Sequence, residues 1–313
     1  MNLEKKFDLV VIGEINPDLV LNSTNLPEFG QVEKYIEDYS LTIGSSSVIF
    51  ACGAARLGLK VAFIGKVGDD YFGHFMLDKM QEYQIDISSV LVSPTVKTGV
   101  SVILNNESDR AILTYLGTIC ELKLEEINKE LLKKARHLHL GSYFLLDKLR
   151  PDISELFQYA KREGLSTSLD TNFDPLQEWG EGLFATLENT DIFFPNEHEA
   201  KSIVGLEDLD EAIKVLSSKV SCLAVKLGSN GAVAMSDNKK ATAAALKTKV
   251  IDTIGAGDSF DAGFLFGYLN GWNLEKCLRA ACISGSLSTR AVGGTTSQAT
   301  LEELMEYLSV DAV

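Results

Sequence analysis

The stretch Asp252-Thr253-Ile254-Gly255-Ala256-Gly257-Asp258-Ser259-Phe260 holds the residues best suited to chemistry. Small residues stand there directly before a strongly helical run. Glycine lets backbone N–H groups turn into a concavity and lets a phosphate approach closely. The start of the following helix adds its positive dipole end. Asp258 falls in the first turn of that helix. A carboxylate beside an anion hole can take the proton of an attacking hydroxyl while the hole stabilises charge on the group in transit. A glycine turn with an acidic helix cap would use the same residues, and the spacing alone leaves both open. Other glycine loops are excluded. No Gly-x-x-x-x-Gly-Lys-Ser/Thr run occurs, Phe260 stands where a dinucleotide fingerprint needs glycine, and no Gly-x-Ser-x-Gly elbow is present.

The elements that must position this stretch follow from hydrophobic period. Residues 7–13 form a short apolar run ending in glycine, the pattern of a buried parallel strand. Residues 61–67, 138–141, 166–170, 191–195 and 220–227 read as further strands, the last paired with 231–235 across Gly228-Ser229-Asn230. Residues 48–57, 71–83, 153–162, 197–204, 256–269, 274–290 and 301–308 read as helices, with Ser45, Ser46 and Ser47 as cap candidates for the first. This alternation predicts an α/β fold with a mostly parallel central sheet between helical layers. Residues 19–42 and 98–115 break the pattern, alternating polar and apolar residues as half-exposed antiparallel strands do. They predict a small β-sheet lid over the carboxyl edge of the main sheet, where such sheets bind ligands. The chain 1–313 is expected to be one domain, with lid segments at about 15–42 and 96–118. An apolar lid face would let two copies pair as a homodimer.

With 313 residues, 45% hydrophobic and 23% charged, the chain can bury a large core without disulfides or metals. A net charge of −15 and a pI of about 4.8 set it against nucleic acid and anionic membranes as partners. A phosphate must then be held by local dipoles or a cation. No apolar run approaches the ~18 residues a membrane helix needs, and residues 9–12 are too few for a signal-peptide core. The cysteines are scattered without a Cys-x-x-Cys pair and the histidines lack metal spacing. His137 and His139 read as packing residues of one strand. A reducing, cytoplasmic setting is expected.

Taken together, the motifs resemble those of the ribokinase-like (phosphofructokinase-B type) carbohydrate kinase family, in the same order and over nearly the whole chain. Gly255-Ala256-Gly257-Asp258 resembles its second signature, and residues 44–58, ending Ala55-Arg56-Leu57-Gly58, its first. Val67-Gly68-Asp69-Asp70 with Gly73, Asn196-Glu197-His198-Glu199, and Lys226-Leu227-Gly228-Ser229-Asn230-Gly231 resemble other family segments. The resemblance implies a ribokinase-like three-layer α/β/α fold. It implies an enzyme that passes the terminal phosphoryl group of ATP to a hydroxyl of a small sugar-like acceptor. Asp258 would be the general base, and the amides of Gly255, Ala256 and Gly257 the anion hole. Asn196 and Glu199 would position Mg²⁺, mostly through water. Lys226, Gly228 and Gly231 would border the nucleotide. Asp18, Gly44, Ser45, Asn172 and Phe144 would line the acceptor pocket. Asp252, with carbonyls between Thr289 and Gly294, would hold a monovalent cation such as K⁺.

Several positions depart from the family pattern. Ser45 replaces a second glycine, and Ile49 holds the place of an Asn that contacts the sugar. Asp174 stands where sugar-acid kinases often carry Arg, and a carboxylate there would disfavour an anionic acceptor and point to a neutral sugar. Ala281 takes the place of an Asn near the base. A nucleoside or vitamin kinase stays open beside the sugar kinase, as does a catalytically silent binding protein. Retention of Asp258, Gly255, Gly257, Asn196 and Glu199 together argues against the silent protein.

Overall fold

Phe-Asp-Leu-Val-Val-Ile offers apolar side chains to both faces of a strand, and β1 (Phe7–Ile12) lies in the interior of a sheet covered on both sides. The computed structural model describes residues 5–25, 27–106, 109–180 and 182–310. After β1 come β2 (Pro17–Asn22), β3 (Asp38–Ile43), α1 (Ser46–Arg56), β4 (Val61–Gly68), α2 (Tyr71–Glu82), β5 (Asp86–Ser93), β6 (Val100–Asn106) and β7 (Asp109–Tyr115). The middle of the chain forms α3 (Lys129–Leu132), β8 (Ala135–Leu140), α4 (Ile153–Arg162), β9 (Ser166–Leu169), α5 (Gly182–Leu187), β10 (Ile192–Phe193), α6 (Glu197–Val204) and α7 (Leu209–Ser217). The last third forms β11 (Cys222–Lys226), β12 (Ala232–Ser236), β13 (Lys239–Ala243), α8 (Ala256–Leu269), α9 (Leu274–Ser288) and α10 (Leu301–Val310).

The main sheet has nine strands in the order β13-β12-β11-β10-β9-β8-β1-β4-β5. It is parallel from β5 to β11 and ends in an antiparallel hairpin at β12 and β13. The pleat divides its side chains between two cores. Leu9, Val11 and Phe63 join Phe50, Met76, Phe264 and Leu278 of α1, α2, α8 and α9. Val10, Ile12 and Ile64 join Phe157, Leu183, Ile203 and Ile213 of α4 to α7. Each such side chain, fully buried, contributes about 1.5–3 kcal/mol. Three layers result, as expected. β5 and β13, the two edges, were not foreseen, because edge strands carry mixed polarity and little period.

A second sheet of four strands, β3-β2-β6-β7, forms the lid. Its hairpins β2–β3 and β6–β7 are antiparallel, but β2 and β6 pair parallel, with Asp18 opposite Ser101. The expectation of a wholly antiparallel lid is corrected here. β2 follows β1 and β6 follows β5, so both leave the same carboxyl edge in the same direction. Among the described residues no helix is long and apolar enough to cross a membrane.

Candidate active site

α8 begins without a side-chain cap, and Gly255 occupies the cap position at φ 73°. Glycine adopts that left-handed turn freely, and a Cβ there would also press on Gly294 and Ile49. The Ala256 amide donates to the Thr253 carbonyl at 3.2 Å. Those of Gly255, Gly257 and Asp258 meet no acceptor among the described residues. The expected trio therefore changes by one member. The tight turn draws the Ala256 N–H inward, and the Asp258 N–H is left open instead. The Asp258 carboxyl is half-buried and receives a hydrogen bond from the Ser46 side chain. Burial pushes its acid well above the usual carboxylate range; the charge of Asp170 adds to this and the Lys226 ammonium opposes it. Such a carboxylate is a stronger proton acceptor than a solvated one.

On the lid side, Asp18 of β2 is buried, and burial lifts its acid to about 7 against the opposing charge of Arg110. Gly44 is required beside it, because a Cβ there would collide with the Asp18 carboxyl. Ser45 caps α1, accepting from the Val48 amide at 3.0 Å and donating to the Glu14 carbonyl at 2.6 Å. The Asn172 side-chain amide donates to the hydroxyls of Ser46 at 2.9 Å and Ser142 at 3.3 Å. Ser45, Ser142 and Asn172 all hold left-handed backbone, at φ 55°, 53° and 54°. The buried Glu14 carboxyl takes the Ser47 hydroxyl at 2.5 Å and the Ser47 amide at 3.2 Å. Glu14 and Ser142 escaped the sequence reading, and Ser46 was read only as a cap candidate, although an acid directly after a buried strand is a usable signal.

The side chains of Phe144 and Asp174 are engaged otherwise than the sequence implied. Phe144 is buried edge-on against Tyr143 and Trp179, at 5.2 and 5.4 Å between ring centres, and borders a separate cavity with Arg150 and Thr186. It packs as core and lines that cavity. Asp174 is 3% exposed and turned into its own loop, where it accepts the amides of Leu176, Glu178 and Trp179 at 3.0, 2.9 and 2.8 Å. Its carboxylate is satisfied by these amides, which weakens the argument against an anionic sugar. Ile49 packs against Gly255 and Gly294 and supports the glycine turn.

On the far side of that turn lies a cleft of about 420 Å³, lined by Lys226, Gly228, Gly231, Ala256 and Gly257. This is the size range of small-molecule sites. Helix α9 contributes Cys282, Gly285 and Ser286, while Ala281 is fully buried beneath them and lies outside the lining. Asn196 and Glu199 form a capping box on α6: Glu199 N–H donates to Asn196 Oδ1 at 2.9 Å, and Asn196 N–H donates to Glu199 Oε2 at 2.8 Å. Glu199 is 4% exposed, and burial followed by the charge of Asp170 lifts its acid to about 7. It is not a solvated helix face. Asp252 accepts the amides of Ile254 and Gly293, both at 2.9 Å, and so latches the glycine turn to the 289–294 segment. Both Asp252 oxygens thus tie the two loops together. His137 and His139 are buried packing residues bonded to Ser166 and Ser168, as anticipated.

A half-buried carboxyl, unbonded amides and a cleft thus lie together at the start of α8. The family model of the pfkB carbohydrate kinases matches residues 6–301. The chain belongs to the pfkB carbohydrate kinase family. Like other pfkB proteins of that description, it is an ATP-dependent carbohydrate kinase. A sugar kinase of Archaeoglobus fulgidus, itself uncharacterised, is 32% identical over 228 residues, 72% of this chain and 90% of that one. The 5-dehydro-2-deoxygluconokinase of Bacillus subtilis is 27% identical, covering 99% of this pfkB chain and 98% of its own. Among solved structures, the Arabidopsis thaliana ribokinase complexed with ribose and ATP superposes with a TM-score of 0.85 at 22% identity, covering 96% and 98% of the two chains. An E. coli protein assigned as a ribokinase II, solved with ATP and Mg²⁺, gives 0.87 at 22%, covering 97% and 99%. These two likenesses establish the ribokinase fold.

Proposed function

We propose that this pfkB kinase moves the terminal phosphoryl group of ATP onto a hydroxyl of a small sugar, with Asp258 as general base. The observation that carries the reading is that Asp258 stands in the same first turn of α8 as the open amides of Gly255, Gly257 and Asp258. Asp258 accepts the hydroxyl proton as the acceptor oxygen bonds to phosphorus, and the amides hold the equatorial oxygens. ADP departs along the cleft at Gly228 and Gly231. Asp18 orients the acceptor by accepting hydroxyl hydrogens, and Gly44 gives it room. Asn172, pinned by Ser46 and Ser142, fixes the floor. The lid excludes water.

The residues present fit Mg²⁺ held mainly by water and phosphate. Among the described residues no three His, Cys, Asp or Glu side chains form a cage, and Glu199 with Asn196 offers one carboxylate near the end of β10. Mg²⁺ bound there supplies charge neutralisation of the phosphates. Residues 1–313 act as one catalytic domain with its lid. Tyr39, Leu113 and Tyr115 share the exposed outer lid face by register, and this face suits a second copy of the chain.

The acceptor is a neutral sugar in the first reading. A keto sugar acid is the second, favoured by the inward-turned Asp174 and by the 5-dehydro-2-deoxygluconokinase relatives. The test is ADP release from Mg²⁺-ATP across neutral sugars, keto sugar acids and nucleosides. It is run with Na⁺ and with K⁺, because the Asp252 latch is our candidate cation site. Turnover is expected with a sugar or sugar acid. Tight binding of one compound with no turnover of any would defeat the enzyme mechanism, and turnover of nucleosides alone would replace the acceptor class.

A further inference from the structure

The acceptor side and the nucleotide side of the site are joined by one buried cation. Lys226, the last residue of β11, reaches Asp170 Oδ2 at 2.8 Å and both oxygens of Asp261 at 3.4 Å. Its side chain is 14% exposed, and those of Asp170 and Asp261 are 9% and 1% exposed. Asp170 directly follows β9, and its other oxygen accepts the Asn172 amide at 2.7 Å. Asp261 lies on α8 one turn beyond Asp258 and hydrogen-bonds Asp170. The lysine also runs beside the open Gly257 amide, since a Cβ on Gly257 would stand 3.5 Å from its Nζ. A buried cluster of this kind is often no more stable than apolar residues of the same volume. Its place between the working loops therefore calls for another explanation.

We propose that Lys226 is a positioning residue for phosphoryl transfer: it ties the ends of β9 and β11 to α8 and offsets the charge of Asp170 beside Asp258. This rests on Asp258 acting as the base. The groups that face Asp258 are Glu14 after β1, Ser46 of α1, Asp170 after β9, Lys226 of β11 and Asp261 of α8. Acids outnumber the cation there. Asp261 is buried, and burial pushes its acid well above the usual carboxylate range, while the Lys226 ammonium holds that of Asp170 down and also faces Glu199 of α6. Without the ammonium, the Asp170 charge would hold the proton on Asp258 and deprive the acceptor hydroxyl of its base. The same ammonium fixes Asn172 through Asp170 and the nucleotide turn through its own backbone. A phosphate ligand, the role suggested by the Lys226 motif, would instead act mainly on ATP affinity.

The test compares kcat/KM against pH for wild type, Lys226→Met, Asp170→Asn and the double variant. ATP affinity by calorimetry and Tm are measured beside it. Lys226→Met is expected to move the acid limb to higher pH by about one unit or more, with kcat at pH 7 down about tenfold or more. Asp170→Asn is expected to move the limb to lower pH, and the double variant to return it most of the way. An unmoved limb in Lys226→Met, or a loss confined to ATP affinity, overturns the proposal. If Lys226→Met does not fold, the direction of the Asp170→Asn shift decides alone. Asp258→Asn runs in parallel. Wild-type turnover in that variant removes the base itself, whereas an inactive Asp258→Asn with an unmoved Lys226→Met limb removes only the role of Lys226.

Discussion

The start of α8 and the floor beneath the lid, the two sides of the proposed site, are built from different materials. At α8 the working groups are main-chain amides and one carboxylate, all within residues 255–258. Under the lid they are side chains drawn from Asp18, Ser46, Ser142 and Asn172, which only the tertiary fold brings together. An amide cradle is indifferent to side-chain identity but intolerant of an added Cβ. A floor of side chains can be retuned residue by residue. If the proposed roles hold, substitutions on the two sides should fail in different ways.

The largest effect is expected at α8. Asp258→Asn should lower kcat by ~10²–10⁴ while ATP binding, read by calorimetry, stays near wild type. Equal turnover would erase the distinction between the two sides. Beneath the lid, Asp18→Ala should raise the acceptor KM by roughly 10- to 100-fold, the loss of a charge-assisted hydrogen bond, and change the KM for ATP little. Its pH dependence sharpens the contrast. Below about 7 the Asp18 acid takes up a proton and loses hydrogen-bond acceptor capacity, so the acceptor KM should rise as pH falls through that value. Asp18→Asn should flatten the dependence, and a slope that survives would assign it elsewhere. The smallest catalytic effect is expected at Asp174. Asp174→Ala should destabilise the 174–179 loop by about 1–3 kcal/mol, seen in the urea midpoint, with the preference between a neutral sugar and its acid unchanged. A changed preference would return Asp174 to the acceptor pocket.

The same division explains what could be read in advance. Amide chemistry demands glycine at adjacent positions, so residues 255–258 announced themselves. Buried parallel strands such as β1 and β4 read as apolar runs, and Ser45 read correctly as a cap. Asp174 and Phe144 were misassigned because a one-dimensional reading places a residue near the site but not the direction of its side chain. The carboxyl of Asp174 turned inward to satisfy three loop amides. Asp261 passed unnoticed, although its spacing from Asp258 puts both on one helix face. Its partner Lys226 stands 35 residues away in sequence, and nothing local connects them.

Ser45, Ser142 and Asn172 keep left-handed backbone although none is glycine. Each such unit costs roughly 1–3 kcal/mol, against a typical domain stability of about 5–15 kcal/mol. Durability and discrimination are thus in opposition at the same few peptide units. A variant selected only for heat tolerance would find relief there, and, on the proposed roles, it would keep its chemistry at α8 while its grip on the sugar grew less choosy.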